Sequence, residues 1–120
     1  MEIERIEQIA RKAAAAAQDK KATDVVVLNV QALTPMADFF VICSATSRPQ
    51  VEAVTRAVRD DLESVGVSCR GVEGMEEARW VLLDFGDVVV HVFRPEEREF
   101  YHIERLWGDA EIVTLGETSV

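Results

Sequence analysis

Two stretches of the chain repeat apolar residues at helical spacing, and both predict helices that pack one face on a sheet. Residues 2–20 carry a stripe dominated by small residues: Ile3, Ile6, Ala10, Ala13, Ala14 and Ala17. Residues 47–66 carry a stripe of larger ones: Val51, Val54, Val58, Leu62 and Val65. Ser47 is a good N-cap, Pro49 suits a first turn, and Gly66 is the expected end of the second helix.

Short β-branched runs between turn residues predict the strands. Residues 25–30 form a β-branched run that predicts a strand. Residues 39–44 have apolar side chains on both faces, which is typical of a central strand covered on both sides. Residues 79–84 and 88–93 flank Phe85-Gly86-Asp87 and predict a hairpin, in which Gly86 supplies the positive φ of the turn.

The remaining segments complete the predicted order. We expect a short strand over residues 67–70, a loop over 71–78, and a helix from Pro95 to about Trp107, whose buried stripe is Phe100, Ile103 and Trp107. Residues 109–120 are predicted to form a C-terminal tail with a short strand at 111–115. Near the other end of the chain, the first helical segment is predicted to end at Thr23 and Asp24. The sequence therefore predicts an α/β protein, a mixed β-sheet flanked by helices in a single domain over residues 1–120.

Composition and charge restrict the partners. The chain has 120 residues and a formal net charge of -9, which argues against an extended nucleic-acid footprint, DNA included, and against an anionic membrane surface. A basic partner fits this charge, as does charge that serves only solubility. Cys43 and Cys69 lack CxxC spacing and read as reduced thiols, and the charged amino terminus does not resemble a signal peptide, so we expect a cytoplasmic location.

Catalytic and metal-binding patterns are weak. Asp84-Phe85-Gly86 matches a kinase triplet by letter, but no glycine-rich loop or strand lysine accompanies it, and we interpret it as a turn. Asp84 and Asp87 could in principle hold a metal, although turn aspartates are the simpler interpretation. His91 points away from the face shared by Val90 and Val92, which favours a satisfied or interfacial histidine over a catalytic base. We therefore predict no enzyme, no metal and no cofactor.

Alternation along the strand that begins near Trp80 puts Trp80, Leu82 and Asp84 on one face. Trp80 lies near the acidic residues Glu73, Glu76 and Glu77, so it is either a contact residue or a tryptophan buried under a helix. Tyr101 lies off the apolar stripe of the last helix, where it is either an exposed contact or packed along its own helix.

Three segments carry a family resemblance: Ala37-Asp-Phe-Phe-Val-Ile-Cys-Ser-Ala-Thr-Ser-Arg-Pro-Gln50, Trp80-Val-Leu-Leu-Asp-Phe-Gly-Asp-Val-Val-Val-His-Val-Phe93, and Arg98-Glu-Phe-Tyr-His-Ile-Glu-Arg-Leu-Trp107. In this order they resemble the ribosomal silencing factor family, also called the Iojap-like family. The resemblance implies a fold like that of the nucleotidyltransferases, without catalytic activity. The chain agrees, because it lacks the G-S and D-x-D set that metal-dependent nucleotidyl transfer needs.

The resemblance also implies a function. Family members bind the large ribosomal subunit through its fourteenth protein, block joining of the small subunit when nutrients are short, and are often homodimers. We expect a sheet edge and the last helix to dock, through Trp80, Leu82, Asp84, Tyr101 and Glu104, on either the ribosome or a second copy. The alternatives are a minimal nucleotidyltransferase relative and a large-subunit assembly factor that uses the same surface.

Overall fold

The computed structural model describes residues 2–115, and their side chains except at positions 2, 3, 100, 101 and 104. Within this range the elements follow in the order α1 (Glu2–Asp19), β1 (Thr23–Asn29), β2 (Phe39–Ser44), α2 (Arg48–Glu63), β3 (Gly71–Glu73), β4 (Trp80–Asp84), β5 (Val88–Phe93), α3 (Pro95–Tyr101), α4 (Ile103–Leu106) and β6 (Glu111–Val113). No helix in residues 2–115 is long and apolar enough to cross a bilayer.

The strands form one sheet in the order β3-β4-β5-β2-β1-β6. β2 and β5 run parallel, with Val41 opposite Val90, while the other neighbouring pairs are antiparallel. This is the mixed sheet that the sequence predicts. Every residue of β2 is buried, as expected for a central strand covered on both faces.

Helices α1 and α2 cover one face of the sheet, which we call the inner face. The alanine stripe of α1 is buried against it, because side chains without bulk let the helix axis approach the strands closely. The α2 stripe is buried from Val51 to Leu62. Val65 is 45% exposed, so its predicted place in the stripe is wrong: α2 ends at Glu63, and Gly66 at φ +86° turns the chain away.

The opposite side of the sheet, the outer face, is only partly covered by α3 and α4. The prediction of one continuous helix to Trp107 is wrong, because His102 takes a left-handed conformation at φ +51° between them. The His102 backbone N–H donates to the Arg98 carbonyl at 2.9 Å and closes α3. The chain then turns, and Ile103 is buried on the outer face, with Trp107 half-buried beside it.

The bounds of three strands also differ from the prediction. Residues 67–70 form no strand; β3 is instead Gly71–Glu73, which pairs antiparallel with β4 up to Leu82. A three-residue edge strand tolerates glycine and glutamate, since only one of its sides is paired. Thr23 and Asp24 belong to β1, whose pairing with β2 shifts register between Thr23 and Val26. β6 occupies part of the strand predicted at 111–115 and pairs with β1.

Candidate functional site

The outer face carries three of the predicted site residues. Trp80, Leu82 and Asp84 are all half-buried on β4, while Val81 and Leu83 between them are fully buried in the inner core. The predicted alternation is therefore confirmed. Trp80 fits neither alternative alone, because it packs on its neighbours and also borders a notch open to solvent.

Trp80 belongs to an aromatic row that crosses the sheet. Its ring stacks on Phe93 with centroids 4.8 Å apart, and its indole N–H donates to His91 Nδ1 at 3.2 Å. His91 meets the edge of Phe40 at 4.9 Å, and Phe40 meets Trp107 at 5.2 Å. These contacts fix the orientation of Trp80, so less conformational freedom would be lost if a partner packed on it.

His91 is the buried member of this row and is only 4% exposed. Burial lowers its pKa to about 4, so the imidazole is neutral near pH 7. Because Nδ1 accepts from Trp80, the ring proton resides on Nε2, which is buried without a hydrogen-bond partner in the described structure. Of the two predicted alternatives, a satisfied or an interfacial histidine, the first therefore holds at Nδ1 but not at Nε2.

An acidic notch of about 410 Å³ adjoins Trp80. Its lining residues are Gly74, Glu76, Glu77, Arg79, Trp80 and Glu97. Arg79 Nη1 lies 3.3 Å from Glu97 Oε2, which leaves the exposed Glu76 and Glu77 with no ion pair among the described residues. A cationic side chain entering the notch would meet two carboxylates and the indole of Trp80.

Local geometry holds the notch loop against β4. Gly74, at φ +91°, approaches so closely that a Cβ there would lie 2.1 Å from the Trp80 carbonyl oxygen. Arg48, at the start of α2, donates to the carbonyls of Met75 and Glu76. The positions of the notch carboxylates therefore depend on both β4 and α2.

Asp84 has a local role at the hairpin turn. Its Oδ1 accepts from the Gly86 N–H at 2.8 Å, which agrees with the turn interpretation. The described residues contain no cluster of three histidine, cysteine or acidic side chains suited to a metal. Tyr101 and Glu104 lie on α3 and α4, on either side of the break at His102, and their side chains are outside the described set.

Sequence reasoning missed Glu97 and the pairing of Trp80 with His91. Glu97 follows Pro95 and reads as a helix N-terminal acid, so its ion pair with Arg79 has no local signal. The contact between Trp80 and His91 did have a signal in the sequence. The hairpin register pairs Asp84 with Val89 and Trp80 with Phe93, so His91, two residues before Phe93, is a diagonal neighbour of Trp80. Sequence reasoning also missed two exposed apolar side chains, Leu106 and Ile112, which are 76% and 65% exposed.

The fold and the outer face together define an α/β protein that presents a fixed aromatic surface bordered by carboxylates. The family model described as "Ribosomal silencing factor during starvation" matches residues 3–119. The chain therefore belongs to the ribosomal silencing factor family, which confirms the resemblance drawn from its sequence.

Individual relatives agree with this assignment. The chain is 46% identical over 107 residues to the ribosomal silencing factor of Bacillus subtilis, covering 89% of this chain and 91% of the relative. A crystal structure of a Chromobacterium violaceum protein superimposes with a TM-score of 0.83 at 40% identity, covering 86% of each chain. The mouse protein named for mitochondrial assembly of the ribosomal large subunit is 32% identical over 95 residues, which cover 75% of this chain but 41% of that protein.

Proposed function

We propose that this protein binds the large ribosomal subunit through the subunit's fourteenth protein and sterically blocks joining of the small subunit, lowering translation under nutrient limitation. The observation that supports it most is Trp80, held in one orientation beside the acidic notch of a chain in this family. The family description names a regulator and no reaction. We accordingly propose a role in the cytoplasm that needs no catalysis, cofactor or metal.

The surface chemistry suits a basic protein partner. A lysine or arginine of the partner would enter the notch between Glu76 and Glu77 and lie against the ring of Trp80. The net charge of -9 would accelerate encounter with a positive surface. Leu82 and the exposed edge of Trp80 would supply the apolar contact from which most affinity derives.

To block subunit joining sterically, the bound protein needs only to occupy space on the joining surface. The molecule measures 37 × 32 × 32 Å. Contacts between ribosomal subunits form at van der Waals and hydrogen-bond distances of roughly 3–4 Å. A body of this size bound on the joining surface therefore prevents close approach without any conformational change in either subunit.

Charge reversal in the notch tests the docking surface. The double variant Glu76→Lys/Glu77→Lys should bind purified large subunits at least about tenfold more weakly, because two partner-facing carboxylates become repulsive. The matched control Glu4→Lys/Asp19→Lys makes the same charge change on exposed positions of α1, on the inner side of the sheet. Equal binding by both double variants would remove the notch from the interface.

Truncation of the ring tests the apolar part. Trp80→Ala should weaken large-subunit binding by roughly 2 kcal/mol, or about thirtyfold, as expected for a central tryptophan contact. Circular dichroism must show that the variant remains folded at the assay temperature. A folded Trp80→Ala protein with unchanged affinity would exclude Trp80 from the site.

A second function, assembly of the large subunit, is favoured by one comparison. The 32% identical mouse relative is named for assembly of the mitochondrial large subunit. An assembly factor would use the same face but bind immature particles, so it should co-sediment preferentially with precursors and leave joining of mature subunits unchanged. A homodimer through this face would compete with either role, and binding to the subunit should then rise less steeply with protein concentration, because a growing share of the protein is dimeric.

A further inference from the structure

A second notch, of about 380 Å³, opens on the inner side of the sheet, away from the outer face. It lies between the first turns of α1, the connection from α2 to β3 and the β4–β5 turn. Arg5, Ser68, Arg70 and Asp87 contribute its polar lining, and the half-buried Ile9 and Val67 contribute apolar surface. We call it the Arg5–Arg70 notch.

Arg70 is held in place by its surroundings. Its backbone N–H donates to the Asp84 carbonyl at 2.7 Å, which anchors the residue beside the hairpin turn. Its guanidinium lies over Gly86, where a Cβ would come within 2.9 Å of the Arg70 Cζ atom. Gly86 also has φ +91°, so both space and backbone conformation favour glycine where the guanidinium packs.

The two arginines of the notch carry charge that no acidic side chain neutralises directly. Within the described structure neither Arg5 nor Arg70 forms an ion pair, whereas three other arginines each pair with a glutamate: Arg11, Arg48 and Arg79. Asp87 is the acidic residue in the lining, which leaves the notch one unit positive. The chain as a whole carries -9, so this local sign is the reverse of the average.

This chemistry suits one class of ligand. Guanidinium groups present forked donors that match phosphate oxygens, and the Ser68 hydroxyl can add another. Ile9 and Val67 are half-buried in the lining and offer an apolar surface on which a flat ring can lie. We propose that the Arg5–Arg70 notch binds a nucleotide, with its phosphate on the two arginines and its base on the apolar surface.

The phosphate could belong to a free mononucleotide or to one nucleotide of an RNA strand. The overall charge opposes a long nucleic-acid footprint but not the capture of one phosphate by two neighbouring arginines. The site is separate from the outer face, so it does not depend on the proposed ribosome-binding function.

Titration without ribosomes tests the inference. Inorganic phosphate, adenosine and guanosine monophosphates, and a hexanucleotide single-stranded RNA are added separately to the full-length protein while backbone amide NMR shifts are recorded. We expect saturable shifts at residues 66–70 and 85–88. Arg5→Gln/Arg70→Gln should weaken binding at least about tenfold, since two charge-assisted contacts are lost. The control Arg56→Gln/Arg59→Gln removes the same charge from α2 and should stay within about twofold of the unmodified protein.

The pattern of responses identifies the ligand. Mononucleotides that bind at least about tenfold more tightly than inorganic phosphate support contact with the base, and tighter binding of the RNA assigns the phosphate to a strand. Gly86→Ala should weaken binding too, because its Cβ displaces the Arg70 guanidinium. Equal affinity for phosphate and nucleotides would overturn the nucleotide assignment. No saturable shift at about 10 mM of any probe, or unchanged binding by Arg5→Gln/Arg70→Gln, would overturn the site.

Discussion

The hydrogen bond between Trp80 and His91 is one of the contacts that fix the aromatic row, and a double-mutant cycle measures it. Trp80→Phe keeps a ring that can stack on Phe93 but deletes the donor that meets His91 Nδ1 at 3.2 Å. The abandoned nitrogen belongs to a side chain that is 4% exposed, so water cannot readily replace the donor. A buried acceptor left unsatisfied costs about 1–3 kcal/mol.

The second variant, His91→Leu, removes both the acceptor and the unpartnered Nε2 at similar volume. Trp80 is half-exposed, so its indole N–H can bond to water in this background. Trp80→Phe should therefore cost about 1 kcal/mol less in His91→Leu than in the unmodified protein, which is the coupling energy of the pair.

Urea unfolding at pH 8, where His91 is neutral in both folded and unfolded chains, supplies the four free energies of unfolding. Unchanged m-values among the four proteins would show that they unfold between comparable states. A coupling energy below about 0.3 kcal/mol would refute the reasoning, since independent sites are additive within that range.

Three further predictions concern stability and reactivity. Burial lowers the pKa of His91 to about 4, so between pH 6.5 and 4 the unfolded chain binds a proton that the folded chain does not. From pH 7 to pH 4 the unmodified protein should therefore lose about 3 kcal/mol more free energy of urea unfolding than His91→Leu. Parallel dependence of the two proteins on pH would contradict this. Burial raises the pKa of the Cys43 thiol to about 12. Iodoacetamide at pH 8 should therefore modify Cys69 alone in the folded protein, which mass spectrometry measures. Labelling of Cys43 would refute its burial. Gly74→Ala should lower the free energy of unfolding by roughly 3 kcal/mol, because the added Cβ would lie 2.1 Å from the Trp80 carbonyl oxygen. In the control Gly71→Ala the added Cβ meets no atom within 4 Å. Equal costs of the two substitutions in thermal or urea unfolding would refute the close approach.

Periodicity was sufficient to predict the central architecture. The valines of α2 recur at helical spacing up to Leu62, and all of them are buried as expected. The apolar run Phe39–Ser44 predicted a strand covered on both faces, and it lies fully buried at the centre of the sheet. These elements were predictable because burial of one helical face, or of both strand faces, leaves a direct pattern in the sequence.

The errors fall where tertiary contacts outweigh local preference. His102 breaks the last helix in a left-handed conformation, although no glycine or proline marks the position. Gly71–Glu73 becomes a strand because β4 offers it a free edge, which its own composition does not indicate. Alternation placed Trp80 and Leu82 on one face, but which face the helices leave open depends on the whole topology.

The central claim is tested most directly by sedimenting purified ribosomal subunits at a magnesium concentration that promotes their association, with and without excess protein. The account predicts that the protein travels with the large subunit and that the peak of joined ribosomes falls. Co-sedimentation with no loss of the joined peak would contradict the steric block and favour assembly. A protein that remains at the top of the gradient would contradict large-subunit binding itself.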